Sequence, residues 1–198
     1  MSIDAKTVKE LRDKTGAGMM DCKNALKESD GNVEKAIDHL RKTGIAKAEK
    51  KGSRDTKEGI VYSYIHAGGR LGVMIEVNCE TDFVAKTEGF VELVHNLAMQ
   101  IAATNPISLD RGSIDSEVIT KEKEIYADQA RSSGKPDNII EKMVEGRINK
   151  FFQENALLEQ NFVKDPSKTI ENLVTDAVAI LGENIIISQF SRFQLGEK

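Results

Sequence analysis

The chain has little from which a covalent or catalytic scaffold could be built. Its 198 residues include two cysteines, Cys22 and Cys79, too few for a disulfide framework or a zinc quartet. No stretch comes near the ~20 apolar residues that span a bilayer, and the first residues lack the apolar region of a secretory signal. No glycine-rich loop ends in Gly-Lys-Ser or Gly-Lys-Thr, which excludes a P-loop nucleotide site. A basic excess is missing too. The 28 Lys and Arg face 32 Asp and Glu, for a formal net charge of −4, which argues against phosphate-backbone binding as the main activity. Low-complexity tracts are absent, and 39% hydrophobic content suffices for a packed core, so disorder is not expected. The expectation is a soluble, cytoplasmic protein with no membrane and no direct nucleic-acid partner.

Catalytic groups are equally sparse. The three histidines, His39, His66 and His95, have neither metal-ligand spacing nor a nucleophile beside them, and are expected at the surface or in packing. Cys79 follows a strand pattern and adjoins Glu80, with no positive neighbour to lower its pKa. Cys22 lies between Asp21 and Lys23 on a helical pattern. Both read as small buried hydrophobes. The chain is not expected to be an enzyme.

What is present is unevenly charged. Residues 1–56 carry 13 Lys and Arg against 10 Asp and Glu, and the remainder carries 15 against 22. Periodicity fails in the polar run 50–59. The division expected is a small basic module over 1–56, linker included, and an acidic domain over 57–198.

Three short amphipathic helices fill the first module. Asp4 can cap one bearing Val8 and Leu11, which Gly16 stops. A second follows Gly18 and ends near Asp30-Gly31. Asn32 caps a third, with Val33, Ala36, Ile37 and Leu40 at helical intervals, and Gly44 is expected to close it. Residues 60–65 and 73–77 are rich in β-branched and aromatic side chains around Gly68-Gly69, a β-hairpin pattern. Thr81-Asp82 can then cap a helical turn. Phe90, Val94, Leu97 and Ile101 mark a helix, two more are expected over 116–132 and 137–154, and Pro166-Ser167 is expected to open a last one bearing Ile170, Leu173 and Leu181. Residues 184–195 read as a final strand, with Ile185, Ile187 and Phe193 on one side and Ile186 and Phe190 on the other. The fold class is α+β, a three-helix module followed by a core with a small antiparallel sheet packed by helices.

Two features resist a purely structural explanation. Thr15-Gly16-Ala17-Gly18-Met19-Met20 places two methionines about 100° apart at a helix start, so both cannot sit centrally in so small a core and one is expected at the surface. It is either a core-rim residue or an adaptable partner contact. In Thr81-Asp82-Phe83-Val84-Ala85, Phe83 follows a helix cap on a short turn. A core-facing ring is the commoner arrangement for such a residue; an outward one would be an anchor.

The segment Leu11-Arg12 with 15–26 (Thr15-Gly16-Ala17-Gly18-Met19-Met20-Asp21-Cys22-Lys23-Asn24-Ala25-Leu26) closely resembles the N-terminal signature of the bacterial elongation factor Ts family. Glu76-Val77-Asn78-Cys79-Glu80-Thr81-Asp82-Phe83-Val84-Ala85 resembles its second signature. Ser133-Gly134-Lys135-Pro136 with Glu141-Lys142-Met143-Val144-Glu145-Gly146-Arg147 resembles a third, and Pro166-Ser167-Lys168-Thr169 a fourth. These run in order over essentially the whole chain.

The resemblance implies a guanine-nucleotide exchange factor for the translational GTPase elongation factor Tu. It implies a ubiquitin-associated-like N-terminal module that docks on the GTPase, with Arg12, Met19 and Met20 in that surface. It further implies a turn, Thr81, Asp82, Phe83 and Val84, that enters the GTPase and dislodges its magnesium ion. No metal, nucleotide or other cofactor is expected on the chain itself. Long family members carry a second core subdomain; this chain resembles the short form, for which a single core subdomain is expected. With apolar residues on both sides of the final strand, a two-fold homodimer is expected to supply the cover. A reading from another class is a peptide- or ubiquitin-like-binding adaptor whose core only dimerises.

Overall fold

The computed structural model describes residues 3–134 and 136–197, so Lys135 of the third signature lies outside the described residues. Three helices come first, α1 (Ala5–Thr15), α2 (Met19–Glu28) and α3 (Val33–Glu49). Gly16 ends α1 as expected, at φ 68°, with its N–H donating to the Arg12 carbonyl at 2.8 Å. Asn32 caps α3 by accepting the Lys35 N–H at 3.0 Å. Gly44 does not close α3, which continues through to Glu49. A methyl group on Gly44 would lie 3.2 Å from the Ala179 Cβ, so the missing side chain serves close approach rather than termination. Val8, Leu11, Cys22, Ala25, Leu26 and Ala36 form the buried cluster of these helices.

The hairpin follows as β1 (Glu58–Ile65) and β2 (Leu71–Cys79), closed by the His66 N–H on the Leu71 carbonyl at 2.8 Å. Val73, Ile75, Val77 and Cys79 alternate into the core along β2. A single helical turn, α4 (Asp82–Ala85), leads to α5 (Glu88–Thr104). Helices α6 (Ser116–Ser132) and α7 (Asp137–Asn155) pack on each other.

Next come two strands that the periodicity does not announce, β3 (Asn161–Phe162) and β4 (Asp165–Thr169), paired antiparallel. Pro166 and Ser167 therefore lie in β4 and do not open a helix. The Asp165 carboxylate holds them there, accepting the Ser167 N–H at 3.2 Å and hydroxyl at 2.6 Å. Proline's missing donor is tolerated in a two-stranded ribbon. The last helix, α8 (Ile170–Leu181), starts just beyond, and β5 (Ile186–Gln194) completes a three-stranded sheet in the order β1-β2-β5. The class is α+β with a small antiparallel sheet.

Two compact units are formed. One comprises the chain up to Tyr62 with Glu76–His95 and Asn172–Ser188; the other comprises Ser63–Ile75, Asn96–Glu171 and the chain from Gln189 on. In the second unit Gln100 is fully buried and satisfied, donating to Gln160 Oε1 and the Asn161 carbonyl and accepting the Val163 N–H.

Strict alternation fails along β5. Ile187 is buried, yet Phe193, expected on the same side, is 67% exposed. Ser188 and Gln189 are exposed in succession, where the strand passes from one unit to the other, and Phe190 and Arg192 are half-buried beyond them. Each unit covers its own stretch of the strand.

Candidate functional site

The site is carried by the first unit, on a turn that the end of β2 delivers. Thr81, in extended conformation, caps α4 and its hydroxyl accepts the Val84 N–H at 3.4 Å. Ala85 is buried, and Thr87 ties off the turn by donating to the Val84 carbonyl at 2.8 Å. Phe83 lies between these anchors with 80% of its surface exposed, the most exposed large hydrophobic residue described. The outward arrangement is therefore the one adopted. With Thr81 as cap and Ala85 turned inward, Phe83, two residues and so about 200° from Ala85 around the turn, faces away.

The turn rests on a polar floor. The Glu183 carboxylate accepts the Glu80 N–H at 3.1 Å and the Thr81 N–H at 2.9 Å through Oε2, and the Thr81 hydroxyl at 2.6 Å through Oε1. The Cys79 thiol is buried and donates to the Thr81 carbonyl at 3.1 Å. Burial first, and then the Glu183 charge, push its pKa up. Glu80 accepts the Asn184 N–H at 2.7 Å and pairs with Arg54, and the Asn184 bond, more than the Arg54 charge, holds its carboxyl below the usual range. Asn184 in turn donates its side-chain amide to the Arg54 carbonyl at 2.9 Å and the Gly52 carbonyl at 3.4 Å. At the rim Lys86 pairs with Asp82 at 2.6 Å.

The other candidates gather at the turn between α1 and α2. Arg12 is exposed in the last turn of α1, and Met19 and Met20 are 46% and 64% exposed at the start of α2. Both methionines reach the surface, not just one. Thr15 and Cys22 shape the turn from inside, with the Thr15 hydroxyl on the Leu11 carbonyl at 2.8 Å and the Cys22 thiol on the Ala17 carbonyl at 3.6 Å. The same unit's α8 braces both regions. Methyls on Gly16 and Gly44 would press at 3.3 and 3.2 Å on Ile180 and Ala179, and one on Gly89 at 3.4 Å on Leu181.

Sequence reasoning named Thr81–Val84 and the two methionines but passed over Glu183 and Asn184. A lone Glu-Asn pair after Gly182 carries no periodic signal, and the partners lie about a hundred residues upstream. Among the described residues no cluster of His, Cys, Asp and Glu could hold a metal ion, and no helix is long and apolar enough to cross a membrane.

Comparisons with known proteins show the family. The family model described as Elongation factor TS matches residues 4–197. The chain belongs to the elongation factor Ts family. Among its curated relatives, elongation factor Ts of Syntrophobacter fumaroxidans is 56% identical over 198 residues, covering 100% of this chain and 99% of the relative. The Syntrophomonas wolfei protein is 58% identical over 195 residues, covering 98% and 91%, and that of Thermosipho melanesiensis 56% over 195 residues, covering 98% and 100%.

Proposed function

We propose that this elongation factor Ts family member is a translation elongation factor that promotes GDP release from elongation factor Tu by displacing the GTPase's magnesium ion. The observation that carries the reading is Phe83, an aromatic ring held out in water on a turn whose every neighbour is tied down. An exposed aromatic ring on a braced turn has the character of a binding anchor. Thr81, Asp82, Phe83 and Val84 form the magnesium-dislodging contact, and Arg12, Met19 and Met20 form the docking surface of the 1–56 module.

Exchange needs no covalent chemistry. The factor binds nucleotide-free GTPase better than the nucleotide-bound form, and by linkage each ligand weakens the other equally. Speeding release ~10³–10⁴-fold means lowering the barrier by roughly 4–5.5 kcal/mol. Burying Phe83 contributes only about 1.5–3 kcal/mol, so the docking surface has to hold the wedge in place. Losing magnesium is an effective lever because that ion is the largest positive charge beside the phosphates.

The working form we propose is a cytoplasmic homodimer. In the second unit Ile65, Met74, Phe193 and Leu195 are exposed around a 390 Å³ groove, an apolar surface that a second copy would cover.

The deciding experiment follows release of a fluorescent GDP analogue from elongation factor Tu with and without the protein. Strong acceleration is expected. An unchanged rate would overturn the reading in favour of an adaptor.

A further inference from the structure

We propose that Glu183 is the positioning residue of the exchange turn, its carboxylate fixing the pose in which Thr81–Val84 presents Phe83. The inference rests on the exchange reading above and adds to it a residue outside both signature segments of the site.

The geometry is that of a clamp. One carboxylate takes three donors from two consecutive residues, Glu80 and Thr81, at 2.6–3.1 Å. Hydrogen bonds to an ionised acceptor are the strong kind, and two of these engage main-chain donors, so they fix backbone rather than a movable side chain. The turn needs such support because α4 has only four residues, and a single helical turn does not persist without outside contacts. Its other supports are the buried Ala85 methyl, the Cys79 thiol, a weak donor, the Thr87 hydroxyl on the Val84 carbonyl beyond Phe83, the Asn184 N–H on Glu80 and the exposed Lys86–Asp82 pair. The Thr81 hydroxyl also has two tasks. By donating to Glu183 it turns its lone pairs toward the Val84 N–H, so the carboxylate orients the cap as well as the strand end.

Position in the chain gives the clamp a reference frame. Glu183 follows Gly182, whose φ of 84° stops α8, and precedes Asn184, which is buried and bonded to the Gly52 and Arg54 carbonyls. Two adjacent residues therefore hold the wedge turn and the segment leaving the docking helices. When the docking surface seats on the GTPase, Phe83 arrives at a set offset from it. A wedge that could pivot would spend the docking energy on ordering itself.

Three variants test this, read as the maximal rate of fluorescent GDP release at saturating factor and the concentration giving half that rate, with melting curves alongside. Glu183→Ala is expected to lower the maximal rate about tenfold or more, the scale of one lost charge-assisted hydrogen bond, with little change in half-saturation. Glu183→Asp keeps the charge but is one methylene short of bridging all three donors, and is expected to fall likewise. Glu183→Gln keeps the reach and one oxygen for the two N–H groups, and should recover most of the rate. If Ala fails to fold, Asp against Gln still decides. Asp at the parental maximal rate, Gln as poor as Asp, or losses confined to half-saturation would each overturn the positioning role. No release by the unsubstituted protein would instead overturn the exchange reading.

Discussion

Gly16 and Ile180 meet so closely that a single methyl group would fill the gap between them. The glycine is in the left-handed region at φ 68°, and a Cβ there would lie 3.3 Å from the Ile180 Cδ1. Backbone and packing thus make the same demand. Gly16→Ala is expected to destabilise the protein by about 1–2 kcal/mol from left-handed strain alone, with more if Ile180 cannot shift. Thermal melting measures this, and a variant as stable as the parent would show that the turn has another conformation available.

Phe83→Ala should leave the fold almost untouched, since exposed side chains away from special features change stability by only about 0.5 kcal/mol. Binding to elongation factor Tu should persist while most exchange activity disappears. A folded variant exchanging at the parental rate would refute the wedge.

The paired substitution Met19→Ala and Met20→Ala should act in the opposite sense. Loss of two exposed thioethers at a docking surface is expected to raise the half-saturating concentration about tenfold, with the maximal rate held. Titration of the factor in the release assay separates this from the Phe83 result.

Phe193→Asp should split the proposed dimer, because a carboxylate buried in an apolar interface without a partner is costly. Sedimentation equilibrium at tens of micromolar is expected to give a dimer mass for the parent and a monomer mass for the variant. A monomeric parent would remove the dimer from the proposal.

The Cys79 thiol should stay protonated where ordinary thiols begin to ionise, near pH 8.5. Its folded-state pKa is raised, so its contribution to stability is fully present below the unfolded value. That contribution is lost as pH rises through the folded value. Alkylation by iodoacetamide at pH 8 is expected to be slow in the native protein and fast after unfolding, as mass spectrometry of the two states would reveal.

Most of the scaffold was legible because its periods are local. The alternation in β2 and the spacing of Phe90, Val94, Leu97 and Ile101 are set by burial of one face and need no distant information. The errors share one cause. Gly44 looks like a stop until Ala179 is known to lie against it, and Pro166 looks like a helix start until β3 supplies a partner. The direction of Phe83 was undecidable for the same reason. It depends on Ala85 taking the inward position and on Glu183 holding the strand end from far along the chain.

The two compact units are not consecutive stretches of sequence. The chain passes between them after residues 62, 75, 95, 171 and 188. No single proteolytic cut can therefore release either as an intact piece. Chimeras spliced from two relatives at one crossover would mix parental residues within at least one core, whichever site is chosen. Functional hybrids should need matched exchange of several segments at once, which makes inheritance of the fold nearly all-or-none.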